Sequence, residues 1–114
     1  MLNSKNFVSY VKSRFPLFEV EKNIEKLITV VGGEFKDYLV NNMANEPVVN
    51  NVVKFINEMV DNLKTDESIA PFLSEIILGL YDQNMSEYDF FKEKLSIKAK
   101  AYFDYSIKLW KQQG

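Results

Sequence analysis

The chain has 114 residues, 46% hydrophobic and 26% charged, with three Pro, four Gly and a formal net charge of -2. That profile suits a chain that buries one core, and it excludes a disordered segment. Neither Cys nor His occurs, which excludes disulfides, thiolate nucleophiles, imidazole bases and the usual zinc ligand sets, so no cofactor or metal is expected.

No window reaches the roughly 20 apolar residues of a membrane span, and "MLNSKNFVSYVKSRFP" lacks the layout of a secretion signal. The expectation is a soluble, cytoplasmic protein with no membrane contact. Ser4 is placed to cap a first helix bearing Phe7, Val8, Val11 and Phe15, and Pro16 ends it near Arg14 by disfavouring helical backbone at Phe15. From Leu17 to Val31, the spacing of Val20, Ile24, Leu27, Ile28 and Val31 predicts a second helix. Its β-branched end, "LITVV", also suits a short strand, which would have no partner nearby. Gly32 and Gly33 read as its C-terminal stop, and "GGE" as a turn without the spacing of a phosphate loop.

A third helix carries Phe35, Tyr38, Leu39 and Met43, followed by a connector in which Asn45 caps and Pro47 opens the fourth helix. That helix presents Val49, Val52, Val53, Ile56, Met59, Val60 and Leu63 as one stripe. Thr65 or Asp66 caps the fifth, whose stripe is Ile69, Phe72, Leu73, Ile76, Ile77 and Leu80. Ser86 and Asp89 have a capping-box-like spacing, and the last helix, with a break near Ser96, buries members of the set Phe91, Leu95, Ala99, Tyr102, Phe103, Ser106 and Trp110. The fold class is therefore all-α, a single domain of five to six helices, either an irregular bundle or stacked antiparallel hairpins.

Charge is unevenly distributed. Residues 1–57 carry seven Lys/Arg and six acids, residues 58–89 one Lys and eight acids, and residues 90–114 six Lys and two acids. Asp61, Asp66, Glu67, Asp82 and Glu87 fall in the acidic block, on two helices and the turns beside them, where a hairpin would line several along one edge. Such an edge suits a basic partner, although acids are also the ordinary solvated face of a helix. Tyr88 and Phe90, the aromatics that the helical stripes account for least, are the candidate anchors of a protein interface. The basic tail, with Lys98, Lys100, Lys108 and Lys111 among Tyr102, Tyr105 and Trp110, has the composition of a single-strand binder. Tyr102 and Trp110 share the apolar stripe, however, so no nucleic acid is expected. The carboxylates Glu58, Asp61 and Asp82 lie on helix surfaces, and Glu75, between Leu73 and Ile76, is the exception that borders the buried stripe; acid–base chemistry needs two carboxyls in a cleft that separates their pKa values, so an enzyme is not the expectation.

"FINEMV" followed by "DESIAPFLSEIILGL", through Phe55, Ile56, Asp66, Phe72, Leu73 and Glu75, resembles a family of small bacterial helical proteins similar to the immunity partners of toxin systems. The resemblance implies a non-enzymatic protein that binds and masks a basic toxin. The alternative expectation is a structural or self-assembling helical adaptor.

Overall fold

The computed structural model describes residues 4–19, 28–63 and 69–113. Six helices follow in order: α1 (Ser4–Arg14), α2 (Ile28–Asn41), α3 (Glu46–Asp61), α4 (Ile69–Gln83), α5 (Met85–Lys92) and α6 (Ile97–Gln113), with no strand among the described residues. They form an all-α bundle measuring 32 × 31 × 24 Å. α2 and α4 are the most intimately packed pair, while α6 lies against α3 and α4, and α5 against α4.

Local chemistry sets several boundaries as expected. Asn45 accepts from the Val48 amide at 3.4 Å and Pro47 lies in the first turn of α3. The break before α6 falls at Ser96, whose Oγ accepts from the Ala99 amide at 3.2 Å while its own amide donates to Asn57 Oδ1 at 3.0 Å. The cap thus also ties α6 to α3. The whole α4 stripe, Ile69, Phe72, Leu73, Ile76, Ile77 and Leu80, is buried.

Elsewhere the chain departs from its local signals. Leu17 is 83% exposed in a turn after α1, while Phe18 is buried against Phe35 and Tyr38, so no helix begins at Leu17. The expected helical positions Val20, Ile24 and Leu27 lie outside the described residues, as does the cap expected at Thr65 or Asp66. Met43 follows α2 in a turn. Asn84, and not Ser86, precedes α5, and Ser86 sits inside that helix.

The largest departure is at the glycine pair. Gly32 and Gly33 lie within α2, and no glycine among the described residues has a positive φ. A helix that keeps two glycines forgoes about 1 kcal/mol of propensity at each. At Gly32 the reason is close approach: a Cβ there would lie 2.8 Å from the Phe72 carbonyl oxygen and 2.9 Å from the Glu75 Cβ on α4. At Gly33 a Cβ would meet nothing within 4 Å. Adjacent substitutions should therefore have opposite signs. Gly33→Ala should raise stability by about 0.5–1 kcal/mol through propensity and unfolded-state entropy. Gly32→Ala should lower it by about 1–2 kcal/mol, because a backbone oxygen cannot step aside. Chemical denaturation of both variants checks this, and equal responses would contradict the α2–α4 contact.

Aromatic rings fill the core between α1, α2, α3 and α4. Phe35 is the hub, with ring centroids of Phe15, Phe18, Phe55, Phe72 and Tyr38 between 5.1 and 5.8 Å away. Phe55, omitted from the expected α3 stripe, is fully buried there. Arg14 lies over its ring, 5.2 Å from the centroid, and pairs with Glu58 at 2.7 Å, joining α1 to α3.

Candidate functional site

Asp61 and Asp82, two acids of the middle block, do not share one edge. Asp61, the last residue of α3, is exposed and ion-paired with Lys98 at 3.4 Å, near the start of α6. Asp82 follows Tyr81, whose ring meets Trp110 at 6.0 Å near the far end of α6. Twelve residues of helix separate Lys98 from Trp110, or about 18 Å. The charge segregation of the sequence is thus partly cancelled in space, because α6 brings Lys98 to Asp61. Asp66 and Glu67 lie outside the described residues.

Tyr88 is not an exposed anchor. It is 4% exposed and packs against Tyr81 at 5.4 Å and Phe103 at 6.0 Å, because α5 turns Tyr88 and Phe91 together towards α4 and α6. Burial pushes its phenol up to about 12, with smaller contributions from Asp104 and Asp89. An unfolded tyrosine titrates near pH 10. The folded state thus holds this proton longer, and the associated stability is complete below about pH 10 and lost as pH rises through about 12. Denaturation measured across that window should show the fall, and Tyr88→Phe should make it shallower; an unchanged slope would place the phenol in water.

Phe90 does face solvent, at 49% exposure, beneath the Lys94 ammonium at 4.7 Å from its ring centroid. It borders a shallow hollow with Met43, Ala44 and Val49. Glu87 is half-buried on the same helix.

The feature that sequence reasoning missed is a groove of about 460 Å³ between α2 and α4. Glu34 and Asp37 line one wall and Glu75 the other, with Gly33 and Gly79 contributing no side-chain bulk. Asp82, seven residues beyond Glu75, projects from the same face of α4, because seven residues make almost two turns. A smaller hollow bordered by Glu19 and Phe18 shares Glu34 and Asp37 with the groove and extends its acidic wall.

Lys36 is the cation of this groove, and its charge is turned inward. Only 7% exposed, it runs over Gly79, where a Cβ would lie 3.1 Å from its Cε. Its ammonium pairs with Asp37 at 2.7 Å and donates to Gln83 Oε1 at 3.0 Å and Asn84 Oδ1 at 3.5 Å. α4 has no basic residue in its own last turn. Lys36 supplies the positive charge that a helix C-terminus favours, and binds α2 to the α4–α5 junction. Its pair with Asp37 cancels one carboxylate of the wall, so the acidity of the groove rests on Glu34 and Glu75.

The chemistry available here is attraction of positive charge. Among the described residues no group of three or more potential metal ligands comes together, and no helix is long and apolar enough to cross a membrane. Glu34 and Asp37 were obscured because they come from the nearly neutral first half of the sequence. Their one-turn spacing would have revealed a shared face only if 28–41 had been read as one helix. Comparison with known proteins finds no matching family model, no matching curated protein and no matching solved structure.

Proposed function

We propose that the chain is a non-enzymatic binding module of the immunity type, which masks a basic bacterial toxin in the cytoplasm through its acidic α2–α4 face. The observation that carries this reading is the groove itself: Glu34 and Glu75 on opposite walls, Asp82 beyond them, and Lys36, the only lysine among the described residues of its lining, engaged with Asp37 and Gln83. Clefts lined by one sign of charge focus the field and speed capture of an oppositely charged partner. The resemblance through Phe55, Ile56, Asp66, Phe72, Leu73 and Glu75 implies the same class of partner; of its described positions Glu75 lies at the groove and the other four are core. The role here is occlusion, requiring a rigid surface and no reacting group.

The test is capture from the native host with the wild-type chain and with Glu34→Gln/Glu75→Gln/Asp82→Asn, which leaves Asp37 as the counterion of Lys36. A basic protein retained by the wild type and lost by a variant of equal thermal stability is the expected result. Equal retention by both chains, or recovery of the bait alone, would contradict the proposal.

A further inference from the structure

Exposed apolar side chains are concentrated on one part of this molecule. Among the described residues seven large hydrophobics are exposed, and all except Leu17 lie on α5 and α6: Met85, Phe90, Ile97, Tyr105, Leu109 and Trp110. On α6, Ile97, Tyr105 and Leu109, with the exposed Ala101 between them, recur at multiples of four residues and so form one ridge along the outer side. Ile97 is 88% exposed and Tyr105 56%. The opposite side of α6, with Ala99, Phe103 and Ile107, is in the core. A helix with apolar residues on its inner and outer sides has a second side to cover.

Charge identifies what fits there. Lys98 and Lys108 flank the ridge, both exposed, Lys98 in a solvent-exposed pair with Asp61. Two α6 ridges packed antiparallel would gather the Lys98 and Lys108 of both copies, four like charges, around one small contact, which disfavours α6 on α6. The outer face of α5 has the complementary character: Met85, Asp89 and, at the C-cap, Glu93 follow one another at four-residue spacing, all exposed, with Phe90 beside them beneath the Lys94 ammonium. It offers acids and apolar surface together, where α6 offers lysines and apolar surface.

We infer that the chain associates with a second copy of itself by seating the apolar, lysine-flanked outer ridge of α6 on the acidic outer face of α5 of the other copy. The contact is heterologous in its surfaces. It uses neither wall of the α2–α4 groove, so it stands or falls separately from the masking proposal. Because each ridge is only about 18 Å long and one helix wide, the contact falls short of the roughly 800 Å² per partner of a stable complex, and the association is weak and concentration-dependent.

Sedimentation velocity over micromolar to millimolar chain, at low and high salt, measures it. The wild type should associate, and salt should weaken the association. Asp89→Lys, on α5, and Lys108→Glu, on α6, should each weaken self-association by on the order of tenfold or more. Mixing the two variants should restore association, since the intact α6 of the first meets the intact α5 of the second. The double variant, with both charges exchanged, should also recover. A wild type that stays monomeric throughout, single variants that associate like the wild type, or a mixture no stronger than its components would each overturn the inference. Thermal unfolding of the single variants near the wild-type temperature confirms that the loss is one of contact and not of fold.

Discussion

Phe35→Ala is expected to cost about 3–5 kcal/mol, the usual loss when a buried ring becomes a cavity. The upper part of that range applies, because the Phe35 ring meets five other aromatic rings and each such pair adds roughly 0.5–1.5 kcal/mol beyond its buried area. Total stability of a domain this size is about 5–15 kcal/mol, so one substitution removes a large share of it. The melting temperature should fall by roughly 15 °C or more. The same truncation at Phe90, half in water, should change stability by about 0.5 kcal/mol or less. Thermal denaturation of the two variants side by side measures the contrast between a hub ring and a surface ring. Similar losses at both would mean that the Phe15–Phe35–Phe55–Phe72 cluster is not the centre of the core.

The helices that could be read from the sequence are those whose burial follows a single periodic stripe. α4 buries its six expected residues because it has neighbours on the side its own pattern marks. The stripe expected for α3 is narrower than the buried arc: Phe55 falls within helical spacing of Val52 and Met59 and lies in the core beside it. A helix packed between α2 on one side and α6 on the other buries a wider arc than one stripe, and that width depends on neighbours distant in the chain.

Gly32 and Gly33 show a different limit. A helix stop and a close helix–helix approach both select glycine, the first for its backbone freedom and the second for its missing Cβ. Only the position of Phe72 and Glu75 across the contact separates the two, and no local pattern encodes it. The same misreading hid Glu34 and Asp37, because two short helices with a turn between them present no common acidic face. Tyr88 was singled out because it fitted no stripe. The four-residue loop between α5 and α6 changes the helix direction there, so a stripe drawn through a single last helix could not include it.

The charge pattern was legible as composition and not as a map. Asp61 and Asp82 belong to one acidic block in the chain, but the length of α6 holds them apart, and Lys98 neutralises the first. Asp82 and Glu75 remain together because they share a face of α4, and α2 completes their surroundings.

The second large effect concerns this surface. Neutralising Glu34, Glu75 and Asp82 removes three like charges from one face while leaving the Lys36–Asp37 pair and every buried ring in place. Electrostatic capture by such a face accelerates association by about 10–1000-fold, so the triple variant should bind its basic partner at least tenfold more slowly at low salt. Dissociation should change much less, because steering acts on the encounter. The measurement that tests the central claim most directly is the association rate of the captured partner with both chains, as ionic strength rises from about 0.01 M to about 1 M and the Debye length falls from about 30 Å to about 3 Å. The wild-type rate should fall steeply across that range and converge on a nearly flat, slow rate for the variant. Identical rates and identical salt slopes for the two chains would contradict a masking role for the α2–α4 face.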